Sequence, residues 1–438
     1  MCGIIVSSLD IPSGCDYYVK NRGPDYKNMV SYNGIHFVHY LLHLTGEETY
    51  QPIIDDNIVC IFNGEIYNYK ELLPNASSDS YSIVEAYKEY GTEFIKYLDG
   101  EFAIVLFDYN KDILILSGDI FKTKPLFYHI GEEIIISSYK SVCDHIHSSY
   151  EYKSVNPNKV LVFDLQTREL QRAYTIYDFD LTQSKENYTD YTIALEKAIL
   201  KRVPEYSIPL VTLSSGLDSG AIACCLNRHN KNALFMTINK NEDNSVIHAR
   251  NSLLQNHVIL SLSQEEKNDW KDYLTNNCEK CSWDWRNHPK LRREDNAFVM
   301  GSMLGKSKII TEAKKIIPDI KVLLSGIGAD EVMAHNSYYS NGWGNVDWFP
   351  DQLETVFPWN NFYEGSMENY LRGDEYVGGC FGFETRYPFC DKDVVQEFLW
   401  LRAELKNLYK GSNYKPALLH YLDQHNFPYC SRKLGFNV

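Results

Sequence analysis

The sequence predicts two domains of different class: a β-rich layered sandwich over residues 2–178 and an α/β domain built on a parallel sheet over residues 188–438. Three observations carry this expectation. The chain has 438 residues, too many for one ordinary core. Its first part repeats strand-length apolar runs: Gly3 to Val6, Ile58 to Phe62, Phe102 to Phe107, Ile113 to Leu116 and Val160 to Phe163. Most are bounded by turn residues. One helical stretch interrupts them, Tyr81 to Tyr90, introduced by the polar Ser77-Ser78-Asp79-Ser80. Beyond Tyr174 strands begin to alternate with helices. Asp180 to Tyr191 is polar and reads as a linker or the lead into a helix, and Ile193 to Arg202 has helical apolar spacing. Ile208 to Leu213 reads as a buried strand that passes through a Ser/Gly loop into a small-residue helix at Ala221 to Leu226. Lys321 to Leu324 is a second strand ending in a Gly loop. Strand, loop and helix in that order place ligands at the carboxyl ends of parallel strands.

Composition narrows the function classes. Hydrophobic residues make up 44% and charged residues 23%, the balance of a soluble globular protein. The net charge of -15 argues against nucleic acid or an anionic membrane as a general partner, since both need a basic footprint. Eleven cysteines, an odd number without a framework, point to reduced thiols and a cytoplasmic location. The first residues lack the basic region of a signal peptide, and no apolar run is long enough for a membrane span. Cys278 and Cys281 have no second pair at zinc spacing and read as thiols rather than metal ligands.

The chemistry-bearing residues begin at Cys2. Removal of the initiator Met would make Cys2 the N-terminus, with its thiol and a free α-amine on one residue. The reference pKa values of the two groups, about 7.7–8.0 and about 8.5, let the amine take the thiol proton near neutrality. Asn21-Arg22-Gly23-Pro24-Asp25 and Phe62-Asn63-Gly64-Glu65-Ile66-Tyr67-Asn68 follow. Together with Cys2-Gly3-Ile4 they resemble the signatures of class II glutamine amidotransferases. That resemblance implies Cys2 as nucleophile, with the Asn63 side chain and the Gly64 N–H as oxyanion donors. It also implies Glu65 and Asp79 as glutamine-binding residues, Asp79 holding the α-ammonium. One position departs. The family's His-x-Arg-Leu is His39-Tyr40-Leu41-Leu42 here, so the Arg that pairs with the glutamine carboxylate is Leu41. Arg22, His39 and His43 are the candidate replacements.

The second constellation, Leu213-Ser214-Ser215-Gly216-Leu217-Asp218-Ser219-Gly220, lacks the Gly-Lys-Ser/Thr ending of a Walker A loop. Backbone N–H groups and hydroxyls in such a loop can approach a pyrophosphate at a helix N-terminus. It resembles the pyrophosphate loop of ATP pyrophosphatases, which implies cleavage between the α- and β-phosphates. The third, Leu324-Ser325-Gly326-Ile327-Gly328-Ala329-Asp330-Glu331, resembles a segment of the glutamine-hydrolysing asparagine synthetases. Glu384 to Asp391, Lys415 in Tyr414-Lys415-Pro416, and Lys433 to Phe436 match the same family in order.

The resemblance covers nearly the whole chain. It implies an N-terminal-nucleophile (Ntn) sandwich followed by a PP-loop, adenine nucleotide alpha hydrolase-like domain. It assigns ATP to Leu213, Ser214, Ser215, Gly216, Asp218, Ser219 and Gly326. It assigns Mg²⁺ to Asp218 and Asp330, and the acyl-transfer step to Lys415. The implied partners are glutamine and a carboxylate acceptor, with a homodimer as the candidate assembly. Ile327 departs from the family's Glu at the acceptor's reaction centre, which leaves two acceptors open: aspartate, or a different carboxylate such as a sugar acid, peptide, nucleobase or natural-product precursor. A non-catalytic binding protein with the same fold is the third reading. Arg292-Arg293-Glu294-Asp295 reads as a solvated face, with an acceptor-carboxylate role open for either Arg.

Overall fold

Apolar residues that alternate along a strand and are buried on both sides require a layer above and a layer below. The computed structural model shows this arrangement. It describes residues 2–281, 301–334, 348–408 and 415–430; Arg292, Arg293 and Lys433 to Phe436 lie outside them. The chain divides into two compact units. The first is Met1–Asp178 with Asn277–Lys280 and Gly378–Glu384, and the second is the remainder.

In the first unit the strands are β1 (Gly3–Ser7), β2 (Tyr26–Tyr32), β3 (Ile35–Leu41), β4 (Ile53–Asp55), β5 (Ile58–Ile66) and β6 (Gly100–Asp108). They continue with β7 (Ile113–Gly118), β8 (Phe127–Ile130), β9 (Ile134–Ser137), β10 (Lys153–Ser154), β11 (Lys159–Asp164) and β12 (Leu170–Thr175). They form two six-stranded sheets, β10-β8-β9-β1-β3-β2 and β12-β11-β7-β6-β5-β4. Ile4, Val6, Ile35 and Phe37 of the first sheet share one core with Val59, Ile61, Val105 and Phe107 of the second. The opposite face of β5 and β6, through Cys60, Phe62, Ile104 and Leu106, packs on Ile83, Val84 and Tyr87 of the helix Asp79–Tyr90.

That helix starts two residues before the expected Tyr81. The Ser78 side chain caps it by accepting from the Ser80 N–H, and Gly91 at φ 57 ends it. A second helix, Lys140–Ile146, buries Val142 and Cys143. Cys143 joins Ile135 of β9 on the outer side of the first sheet. The sequence did not suggest this helix, because seven residues with two buried positions leave no periodic signal.

The second unit contains β13 (Leu210–Thr212), β14 (Leu234–Ile238), β15 (His257–Leu260), β16 (Val322–Leu324) and β17 (Glu384–Arg386), in the order β15-β14-β13-β16-β17. The pairs β13–β14, β13–β16 and β14–β15 are parallel. β13 and β16 are therefore neighbours whose carboxyl ends open side by side, and both end in the loops singled out by sequence. The polar segment beyond residue 178 is docked along the second unit. The Asp180 N–H donates to Gln396 Oε1, Trp400 Nε1 donates to Asp180 Oδ2, and the Lys185 N–H donates to the Trp400 carbonyl.

Asp391 ties three parts of this unit together. Its carboxylate caps the helix Lys392–Trp400 by accepting from the Asp393 N–H. It also takes Arg202 at 2.7 Å and Lys201 at 2.6 Å, with Asp391 and Arg202 nearly inaccessible. Burial alone would raise this carboxyl, but the two cations hold it below the usual carboxylate range. Removing one member of such a buried pair costs about 3–5 kcal/mol. We expect Asp391→Asn to lower unfolding free energy by that order at pH 7 in urea titrations. The folded pKa is depressed, so the contribution is present above the ordinary carboxylate pKa of about 3.9 and is lost on acidification below it. The gap between variant and wild type should therefore shrink below about pH 4.

Candidate active sites

In the first unit the register of β5 sets the geometry. Val59 and Ile61 face the other sheet while Cys60 and Phe62 face the helix, so Asn63 and Glu65 point between the sheets. Asn63 is fully buried, and neither its Nδ2 nor its Oδ1 has a hydrogen-bond partner among the described residues. Buried amides are rarely left so, and a ligand or ordered water is the usual explanation. Gly64 follows at φ 133, and a Cβ there would lie 1.9 Å from the Glu101 carbonyl oxygen, so only glycine fits.

Cys2 precedes β1 and continues the alternation of Ile4 and Val6, which places it on the same sheet-facing side. It is nearly inaccessible, and Arg22 Nε donates to its carbonyl at 2.9 Å. Burial pushes the thiol up to about 11, opposed in part by a backbone hydrogen bond from Leu42. Asp79 Oδ2 accepts from the Ile66 N–H, and Glu65 Oε2 accepts from Thr45 Oγ1 at 2.6 Å. Burial first, and then the Glu65 charge, holds Asp79 well above the usual carboxylate range. Two buried carboxylates that repel one another form a site that favours an incoming cation.

Leu41 is buried. Of the three candidate replacements for its missing cation, Arg22 donates to the Cys2 carbonyl and to Tyr139 Oη, and His43 Nε2 donates to the Gly46 carbonyl. His39 is fully buried with both ring nitrogens unpartnered among the described residues, and burial pulls it down to about 3, so it is neutral.

In the second unit the loop after β13 is built from short polar links. Leu213 is buried, and its N–H donates to the Met236 carbonyl. The Ser214 N–H donates to Ser219 Oγ at 3.0 Å, and the Gly216 N–H donates to Ser214 Oγ at 3.1 Å. Gly216 caps the helix Leu217–Arg228, which carries Asp218 in its first turn. The loop after β16 meets it: a Cβ on Gly326 would lie 3.0 Å from Asp218 Cβ, and Gly328 at φ 95 turns the chain into the short helix that holds Asp330. Lys415 joins the two loops. Its buried ammonium contacts Asp218 Oδ1 and lies 2.9 Å from Asp330 Oδ1. Burial alone would lower this lysine, but the two carboxylates raise it above its ordinary value.

Sequence reasoning missed two residues of this region. Arg250, fully buried, donates to the Ser214 and Gly216 carbonyls. Glu242 Oε2 accepts from both the Ser215 N–H, at 2.6 Å, and the Ser215 hydroxyl, at 2.5 Å. Burial raises Glu242, opposed by those bonds. Neither residue stands in a motif, and only the fold brings them under the loop. None of the eleven cysteines, Cys278 and Cys281 included, is in a disulfide. No helix among the described residues is long and apolar enough to cross a membrane.

Comparison with known proteins finds likenesses over both units. Residues 1–180 match the family model described as a glutamine amidotransferase domain. The chain is 24% identical over 439 residues to asparagine synthetase (glutamine-hydrolyzing) 2 of Oryza sativa subsp. japonica, covering 95% of this chain and 71% of that protein. It is 25% identical over 438 residues to asparagine synthetase (glutamine-hydrolyzing) of Triphysaria versicolor, with 95% and 71% covered. The corresponding protein 2 of Arabidopsis thaliana is 24% identical over 439 residues, with 95% and 72% covered. A match to a glutamine amidotransferase domain over residues 1–180 is thus joined by a likeness to glutamine-hydrolysing asparagine synthetases that runs on through the parallel-sheet unit.

Proposed function

We propose that the chain makes an amide from a carboxylate, ATP and glutamine, releasing glutamate, AMP and pyrophosphate, and that the acceptor is aspartate. The observation that carries this reading is the buried Asn63 amide, without a partner among the described residues, on the same sheet-facing side as Cys2. An amide held ready in an enclosed space suits the oxyanion of a tetrahedral thiol adduct, where a single donor contributes about 10²–10³ in rate.

In this reading the initiator Met is removed and the freed Cys2 amine takes the thiol proton. The thiolate attacks the glutamine side-chain amide. Asn63 and the Gly64 N–H receive the oxyanion, and Glu65 and Asp79 receive the α-ammonium. Ammonia leaves and water releases glutamate from the thioester.

In the second unit, Leu213 to Gly216, Ser219 and Gly326 form an ATP site of the PP-loop type. Asp218 and Asp330 share one cation, the Lys415 ammonium, so they stand close enough to share a hard divalent ion with phosphate oxygens. When bound, Mg²⁺ would neutralise the pyrophosphate. The acceptor carboxylate attacks the α-phosphate, and ammonia displaces AMP from the acyl-adenylate, with Lys415 beside the developing charge. A cytoplasmic, homodimeric enzyme is part of the same proposal.

Two measurements test the first half. Cys2→Ala should abolish glutamine-supported AMP formation and leave ammonium-supported AMP formation intact, and glutamate release that survived it would overturn the nucleophile. Asn63→Ala should lower glutaminase turnover by about 10²–10³ without lowering unfolding free energy by more than about 1 kcal/mol, because the side chain leaves no described partner behind. For the second half, aspartate should stimulate pyrophosphate release and yield asparagine. Stimulation only by other carboxylates would move the acceptor, and none with any acceptor would favour a binding protein.

A further inference from the structure

This inference rests on the nucleotide reading of the second unit. Ser215 offers two donors at the start of a helix, the position where a phosphate oxygen would sit. Both already go to a single oxygen, Glu242 Oε2, at 2.6 and 2.5 Å. Asp218 and Asp330, where a metal would sit, already share a cation, the Lys415 ammonium. A carboxylate thus stands in the place of the anion and an ammonium in the place of the dication. Lys415 and Ser215 are themselves buried, so neither pairing is a loose surface contact.

We propose that Glu242 and Lys415 are built-in counter-ions that select the metal–triphosphate pair over either component alone. The charge balance gives the reason. A dication entering by itself must expel a buried ammonium and leave it without an anion, which is costly. A polyphosphate entering by itself must expel Glu242 and lie beside two carboxylates that no metal has neutralised. When the two arrive together, the metal takes the carboxylates, the phosphates take the Ser215 donors, and Lys415 gains a new anionic partner. Glu242 thereby becomes a specificity-determining residue of the nucleotide site, and Lys415 acts before the chemical step as well as during it.

The test uses the full chain and three probes: Mn²⁺ alone, read by the electron paramagnetic resonance of free Mn²⁺; inorganic pyrophosphate alone; and Mn²⁺ with α,β-methylene-ATP, the latter two read by calorimetry. Wild type should bind the Mn²⁺–analogue pair, and Mn²⁺ alone or pyrophosphate alone at least about tenfold more weakly. Lys415→Met should gain at least about tenfold in affinity for Mn²⁺ alone. Glu242→Ala should gain at least about tenfold for metal-free pyrophosphate, since the cost of displacing a competing group is removed. Glu242→Gln, which can keep the Ser215 bonds without the charge, should shift in the same direction and guards against a misfolded Ala variant. Wild-type binding of Mn²⁺ alone as tight as with the analogue overturns the proposal and leaves the nucleotide reading standing. So does a loss, or no change, of pyrophosphate affinity in both Glu242 variants, which would make Glu242 a structural tether. If wild type binds no Mn²⁺–analogue pair at all, the nucleotide reading itself fails and takes the inference with it.

Discussion

Arg250 lies fully buried beneath the loop after β13, and the second unit's site depends on what its guanidinium does there. It donates to the Ser214 and Gly216 carbonyls and, through Nε, to the Pro428 carbonyl. A planar fork with five donors can hold several carbonyls at fixed angles, which a lysine cannot. With its carbonyls held by Arg250, the loop leaves its N–H groups and hydroxyls available elsewhere, at Ser215 for Glu242 and at Gly216 for Ser214. The helix that follows must come close to that guanidinium. Gly220 permits it, since a Cβ there would lie 2.3 Å from Nη2. The charge of the site follows from the same fixation. The helix start displays Asp218, the neighbouring strand end delivers Asp330, and Lys415 meets both.

The two units prepare their polar groups in opposite ways. The second satisfies them with its own side chains: Glu242 on Ser215, Lys415 on the aspartates, Ser325 Oγ on Asp374. Such a site must exchange partners to bind. The first leaves Asn63 and His39 buried and unpartnered among the described residues. An unmet buried amide costs about 1–3 kcal/mol, and the rigid pairing of β5 with β6 holds it in place regardless. Asn63 sits opposite Ala103 and Gly64 opposite Phe102 in an unbroken ladder, so the cost is carried by the sheet. Preorganised donors of this kind suit a charge that exists only in passing, whereas exchangeable partners suit a ligand that carries permanent charge.

Legibility in the sequence followed the same division. Cys2, Asn63, Gly64, Asp218 and Asp330 stand in short contiguous runs because one turn of backbone needs all of the run. Gly64 at φ 133 and Gly328 at φ 95 show why their neighbours are so constrained. The buried strands β5, β6, β7 and β11 were legible for a related reason, since apolar side chains on both faces leave an uninterrupted run. The exposed edge strand β12 and the two-residue β10 carry no such run and are defined only by their partners. Glu242 and Arg250 were illegible because their partners are 27 and 36 residues away. A glutamate and an arginine on a polar stretch look solvated until β14 and the helix Asn244–Leu253 fold back over the loop.

Ile327 shows how a legible departure acquires physical content. It is half-buried between Gly326, which packs on Asp218, and Gly328, which turns the chain toward Asp330. Its N–H donates to Ser325 Oγ, whose hydroxyl donates to Asp374, and Asp374 is paired in turn with Lys306. The backbone at this position is therefore held from below by a buried polar network, whatever side chain it carries. What the isoleucine removes is a group able to take a proton. If acyl transfer takes place beside this loop, as proposed, the proton of the attacking nitrogen must pass to the departing phosphate or to water. In the proposed reaction that would place more of the work of stabilising the leaving anion on Lys415, the cation that bridges Asp218 and Asp330.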